Sequence, residues 1–231
     1  MDEAIHGGLP RPSITALIGP PGAGTTSFCK SFVVSSLLRG MKVLIALGDE
    51  PPDHYMRNFD SVKSLDMRSY VDQKRLFFLD EYSEYAGASG MKALGDLSVP
   101  EDLQAQKIML ASKNSMAKQM GVDTKRLNVV TDSITALSPF IGIREVHRVV
   151  LDAQASAAEF NHVMIFAAHE GALEGNFVQI LKQYADGVIR LRSRWVRGKL
   201  RREMLIEKMR FTEITEPVLE YRINDDGIEI L

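Results

Sequence analysis

Residues 19–26 read GPPGAGTT, glycine at the first and sixth positions with a hydroxyl at the eighth. That spacing, set after an apolar strand and before a helix, suits a loop that wraps phosphate. Glycines let successive backbone N–H groups turn inward around phosphate oxygens, and the helix that follows adds free N–H groups and its positive dipole end. The phosphate-contacting set is Gly19, Pro20, Pro21, Gly22, Ala23, Gly24, Thr25 and Thr26, with Ser27 behind them. Thr26 carries the hydroxyl that binds magnesium in such loops. Thr25 stands where the pattern has lysine. A charge-assisted hydrogen bond is worth roughly 1.5–3 kcal/mol, and losing it from a transition state slows a reaction about ten- to a hundredfold. Binding through amides and metal suffers less. The alternative reading is a plain glycine-rich turn.

Other residues can complete or decline such a site. Asp132 ends the apolar run LNVVTD and serves either as a magnesium carboxylate or as a cap of the next turn. Asp49 and Glu50 follow VLIALG; they either orient and deprotonate water or charge the start of a helix at Pro51-Pro52. Lys208 and Arg210, two apart on a strand, share a face. They either reach the phosphates of a neighbouring subunit or form a solvated edge. His169 and Glu170 follow another apolar run and either sense a terminal phosphate or form a loop pair. Between 190 and 202, RLRSRWVRGKLRR holds seven cations and one tryptophan. This stretch suits single-stranded nucleic acid by charge and stacking, a subunit interface, or a strand edge protected by charge.

The elements that must position these residues read as a parallel sheet with crossover helices. Strands fall at 13–19, 42–47, 75–80, 127–132 and 162–168, nearly all apolar as strands covered on both faces are. Helices fall near 25–39, 51–66, 100–120 and 143–160, and 83–99 and 171–185 read as mobile loops. Beyond 186, four strand-like runs turning at Arg197-Gly198 and at NDDG extend the sheet antiparallel. The fold class is therefore α/β, a mostly parallel sheet flanked by helices, in one domain spanning 1–231. Cys29 lies within the first helix and suits a core position.

Whole-chain properties narrow the classes. The 231 residues are 45% hydrophobic and 25% charged, with a net charge of -2, which points to neither a membrane nor bulk nucleic acid. One cysteine permits no intrachain disulfide. No apolar run approaches the ~20 residues that span a bilayer, and the acidic MDEAIHGGLP lacks the apolar centre of a signal peptide. The expected location is the cytoplasm.

Taken in order, GGLPRPSITALIGPPGAGTTSF, VLIALGDEPPD, LNVVTDSITAL, ADGVIRLR, LIEKMRFT and GIEIL resemble the RecA/KaiC superfamily of ATPases. The chain is similar to the single-domain KaiC-like proteins of archaea, the archaeal RadA paralogues among them. The resemblance implies a RecA-like core with ATP and Mg²⁺ held between subunits of a ring or filament, often a hexamer. It implies a phosphate loop at 19–26 and magnesium residues Thr26 and Asp132. It also implies Glu50 of the Asp49-Glu50 pair as water activator, and Lys208 and Arg210 acting in trans. Three functions follow as expectations: an ATPase that is weak or assembly-dependent, a pseudo-ATPase scaffold for a protein partner, and a recombination-type accessory of single-stranded DNA.

Overall fold

The computed structural model describes residues 1–62, 65–82, 126–137, 143–171 and 175–231. Five apolar runs form parallel strands: β1 (Ser13–Gly19), β2 (Val43–Leu47), β3 (Leu76–Asp80), β4 (Asn128–Asp132) and β5 (Val163–His169). Four more follow: β6 (Gly187–Val196), β7 (Lys199–Met209), β8 (Val218–Asn224) and β9 (Gly227–Ile230). The sheet order is β3-β2-β4-β5-β1-β6-β7-β8-β9. β6 lies parallel to β1, with Ile18 beside Arg190, and β7 to β9 add antiparallel. The mostly parallel sheet with antiparallel C-terminal strands matches the sequence expectation, except that β6, the first of the four C-terminal runs, continues the parallel part.

Helices cover both faces. On one, α1 (Thr25–Leu38) packs Phe28, Cys29, Val33 and Leu37 against Leu17, Ile45, Ile165 and Ile189. On the other, α4 (Ile143–Phe160) and α5 (Gly175–Tyr184) pack Val146, Val150, Phe177 and Leu181 against Ile14, Leu44, Met164 and Val188. Two expectations need correction. The helix expected at 51–66 is a five-residue α2 (Pro52–Met56) running into a 3-10 turn at Arg57–Phe59. The chain leaves it because Ser61 is engaged: its hydroxyl donates to the Asp225 carbonyl at 2.7 Å and accepts from Lys30 Nζ at 2.9 Å. A short α3 (Met67–Asp72) follows, its N-terminus capped by the Asp66 carboxylate. The loop expected at 171–185 is mostly α5, whose apolar residues meet α4 and the sheet. The expectations for 83–99 and 100–120 lie outside the described residues.

The turn between β8 and β9 sits on the first turns of α1. Lys30 is buried there, its ammonium on the carbonyl of Asp225, and Ser31 Oγ accepts from Ile228 N at 2.7 Å. Gly227 (φ 119) makes this approach possible: a Cβ there would lie 2.1 Å from Ser31 Oγ and 3.0 Å from the Ser27 carbonyl. Gly227→Ala should therefore cost about 2 kcal/mol, from backbone strain and the forced retreat of the turn. Chemical denaturation of the two proteins measures the difference.

Candidate functional site

The loop at 19–26, Asp49, Glu50, Asp132, His169 and Glu170 converge on one edge of the sheet because parallel strands end there together. Gly19 ends β1 beside His169 of β5, and Leu47 of β2 pairs with Asp132 of β4. Ligands bind at this carboxyl edge in open α/β sheets.

The loop at 19–24 is shaped without a lysine. Gly24 caps α1 in the left-handed region (φ 100, ψ 31), and a Cβ there would lie 2.6 Å from Ile223 Cδ1. The Ala23 amide donates to the Pro20 carbonyl at 3.1 Å, and Tyr221 Oη donates to the Ala23 carbonyl at 2.6 Å. Below the loop, the Glu170 amide donates to the Gly19 carbonyl at 2.9 Å. The opening amides of α1 have no acceptor within the helix and face outward. Thr25 is 4% exposed, and its methyl is 3.3 Å from the position of a Gly19 Cβ. It fills the space beneath the loop with an apolar group.

Asp132 is 4% exposed. Tyr55 Oη donates to its Oδ2 at 3.0 Å, and Thr26 hydrogen-bonds to it as well. Desolvation raises the Asp132 pKa to about 6, against the opposing pull of Tyr55 and Thr26, and the Asp49 charge adds to the rise. Burial, then the Asp132 charge, pushes the Tyr55 hydroxyl well up. A buried carboxylate beside a threonine hydroxyl and helix-end amides suits a hard, oxygen-seeking cation. Among the described residues, no group of three or more His, Cys, Asp or Glu could hold a metal.

The paired carboxylates separate in role. Asp49 Oδ2 accepts from Ser133 N at 3.0 Å and Ser133 Oγ at 2.5 Å, so it ties the end of β2 to the end of β4. Glu50 is the less exposed of the two, half-buried with its carboxylate paired with His54 one helical turn on. The His169 amide donates to Thr135 Oγ1 at 2.7 Å, while its Nδ1 is buried without a hydrogen-bond partner. Glu170 pairs with Arg190, which also bonds Glu207 at 2.6 Å, itself bonded to Lys182 at 2.6 Å.

Lys208 and Arg210 lie at the opposite edge from the loop of their own chain. Register shifts at Val188/Ile189, so Glu207 is extra and Lys208 faces α5. Its ammonium caps that helix, donating to the carbonyls of Lys182 (3.3 Å), Gln183 (3.4 Å) and Ala185. Arg210 is exposed, 3.5 Å from Asp186. The anionic groups facing this pair thus come from the same chain.

Sequence reasoning passed over Tyr221 and took Arg202 only as one of seven cations. Arg202 sits opposite Tyr221 in the β7–β8 ladder, beside the loop, and its Nε is buried without a partner. No signal within residues 190–202 distinguishes it, since its position depends on β8.

A carboxyl group that is harder to ionise when folded makes the fold weaken as pH rises. Asp132 should cost roughly 3 kcal/mol of stability between about pH 4 and pH 7 in metal-free protein. Asp132→Asn should raise the melting temperature at pH 8 and leave it unchanged at pH 4, as scanning calorimetry at both values measures.

A family model described as "ATPase: KaiC" matches residues 1–231. A UPF0273 protein of Methanopyrus kandleri is 26% identical over 233 residues, covering 100% of this chain and 88% of that one. One of Saccharolobus solfataricus is 28% identical over 232 residues, covering 99% and 79%. Among solved structures, a KaiC-like protein of Pyrococcus horikoshii has the same fold, with a TM-score of 0.77 at 22% identity over 100% of this chain and 95% of that one. Matched by that model from end to end, this chain belongs to the KaiC family of nucleotide-binding ATPases.

Proposed function

We propose that the chain binds Mg·ATP in the loop at 19–26 and hydrolyses it slowly, at a rate that depends on assembly with copies of itself. One observation carries the reading. The loop turns through left-handed Gly22 and Gly24, with Thr26 bonded to Asp132, although Thr25 is buried and brings no charge. Amides of the loop and of α1 hold the phosphates. Thr26 and Asp132 would hold magnesium, which supplies charge neutralisation at the β- and γ-phosphates.

Glu50 orients the attacking water, and His54 steadies its carboxylate. Arg202, opposite Tyr221 and with its Nε unbonded, supplies positive charge within the chain. Arg210 supplies it from the adjacent subunit of a ring or filament, as its exposure allows. Lys208 joins it only by releasing the end of α5. The apolar seating of Thr25 favours a second reading, a pseudo-ATPase scaffold that binds nucleotide and docks a protein partner.

Phosphate release under Mg·ATP separates the two readings. Glu50→Gln should lower it about a hundredfold, whereas equal rates in variant and wild type, with ATP binding still seen by calorimetry, would establish the scaffold. Thr25→Lys should raise turnover about ten- to a hundredfold. Arg202→Ala should weaken nucleotide binding at every protein concentration. Arg210→Ala should spare binding and remove the dependence of rate on protein concentration.

A further inference from the structure

The β6–β7 hairpin outruns the sheet. β6 leaves its partner β1 at Arg190, and β7 meets β8 only over Arg202–Leu205, so residues 192–201 project from the carboxyl edge as a two-stranded ribbon. Nearly every residue of this ribbon is exposed. Cross-strand pairing sorts its side chains. Arg192, Arg194, Val196, Lys199 and Arg201 share the face that continues from α5. Trp195 and Leu200 form a pair on the other, where Trp195 is 73% exposed.

Charge on the ribbon is not balanced locally. Arg194 and Arg201 sit directly opposite each other, an arrangement that repels. Glu203 pairs with Arg194, and Glu220 with Arg201. Among the described residues, Arg192, Arg197 and Lys199 have no ion pair. The chain as a whole is net -2, so the remainder is acidic and the cations are concentrated here. Charged side chains alone protect a strand edge; a column of cations on one face with a bare indole near the tip on the other exceeds that need. A two-stranded ribbon is also thin enough for a flexible polymer to pass along one face and over the tip.

We infer that the ribbon at residues 192–201 is an arm that binds single-stranded nucleic acid, Arg192, Arg197 and Lys199 on phosphates and Trp195 stacked on a base. The inference is independent of whether ATP is cleaved.

Trp195 is the sole tryptophan, so its emission reports on the arm alone. Titration of the full chain with a 20-nucleotide oligothymidylate should quench that emission saturably. With about three phosphates contacted, the affinity should fall roughly twentyfold between 50 and 200 mM salt. The triple variant Arg192→Gln, Arg197→Gln, Lys199→Gln should lose most of the affinity while melting like wild type. Trp195→Ala should weaken binding about tenfold or more, read by polarisation of a labelled oligonucleotide. A 20-base-pair duplex should quench less, since its bases are stacked already. Equal quenching by duplex or by poly-L-glutamate would overturn base stacking on Trp195. Emission that follows protein concentration and ignores the oligonucleotide would overturn the inference and make the arm a contact between copies of the chain.

Discussion

The glycine-rich loop after β1 keeps its form through a hydrogen bond from Tyr221 to the Ala23 carbonyl, 198 residues apart in sequence. Around this contact, Ile223 leaves room for no side chain at Gly24, and the Glu170 amide fixes the Gly19 carbonyl from below. Nothing in that set requires an ammonium group. A loop lysine usually combines a charge on the phosphates with bulk near the loop. Here the bulk is a threonine methyl packed beneath Gly19, and Arg202, with its Nε buried and unbonded, lies opposite the Tyr221 that braces the loop. Shape and charge have been parted.

Burial decides how the site's acids behave. Asp132 is kept from water in a place where Tyr55 and Thr26 offer hydrogen bonds, and Asp49 adds repulsion nearby. Asp49 spends its lone pairs on Ser133 and so fixes one strand end to another. Glu50 keeps a partially exposed carboxylate with an imidazole beside it. Three carboxylates a few residues from the same edge thus have three distinct environments, and only Glu50 combines access with a partner able to accept or release a proton.

The five parallel strands could be read from the chain because each is a continuous apolar run, and both faces of each are covered by helices. Gly19, Asp49, Glu50 and Asp132 could be placed at one edge because they terminate those runs. Lys208 was harder. Two residues of separation put it on a face with Arg210, but its partners are the carbonyls of α5, and the extra residue at Glu207 determines that it meets them. Neither a bulge nor a helix C-terminus across the sheet leaves a mark in local sequence. The same reasoning explains Arg202, whose role depends on facing Tyr221. The helix read through to residue 66 stopped early because Ser61 bonds to a turn more than 160 residues away.

Order of synthesis gives the Tyr221–Ala23 contact a further meaning. The loop emerges early in translation, while the residues that brace it, Tyr221, Ile223 and Gly227, emerge about two hundred residues later. Long-range closures of this kind form late in folding. Through most of its time on the ribosome, a nascent chain therefore carries an unbraced loop, and its capacity to retain nucleotide arrives with the pairing of β8 and β9.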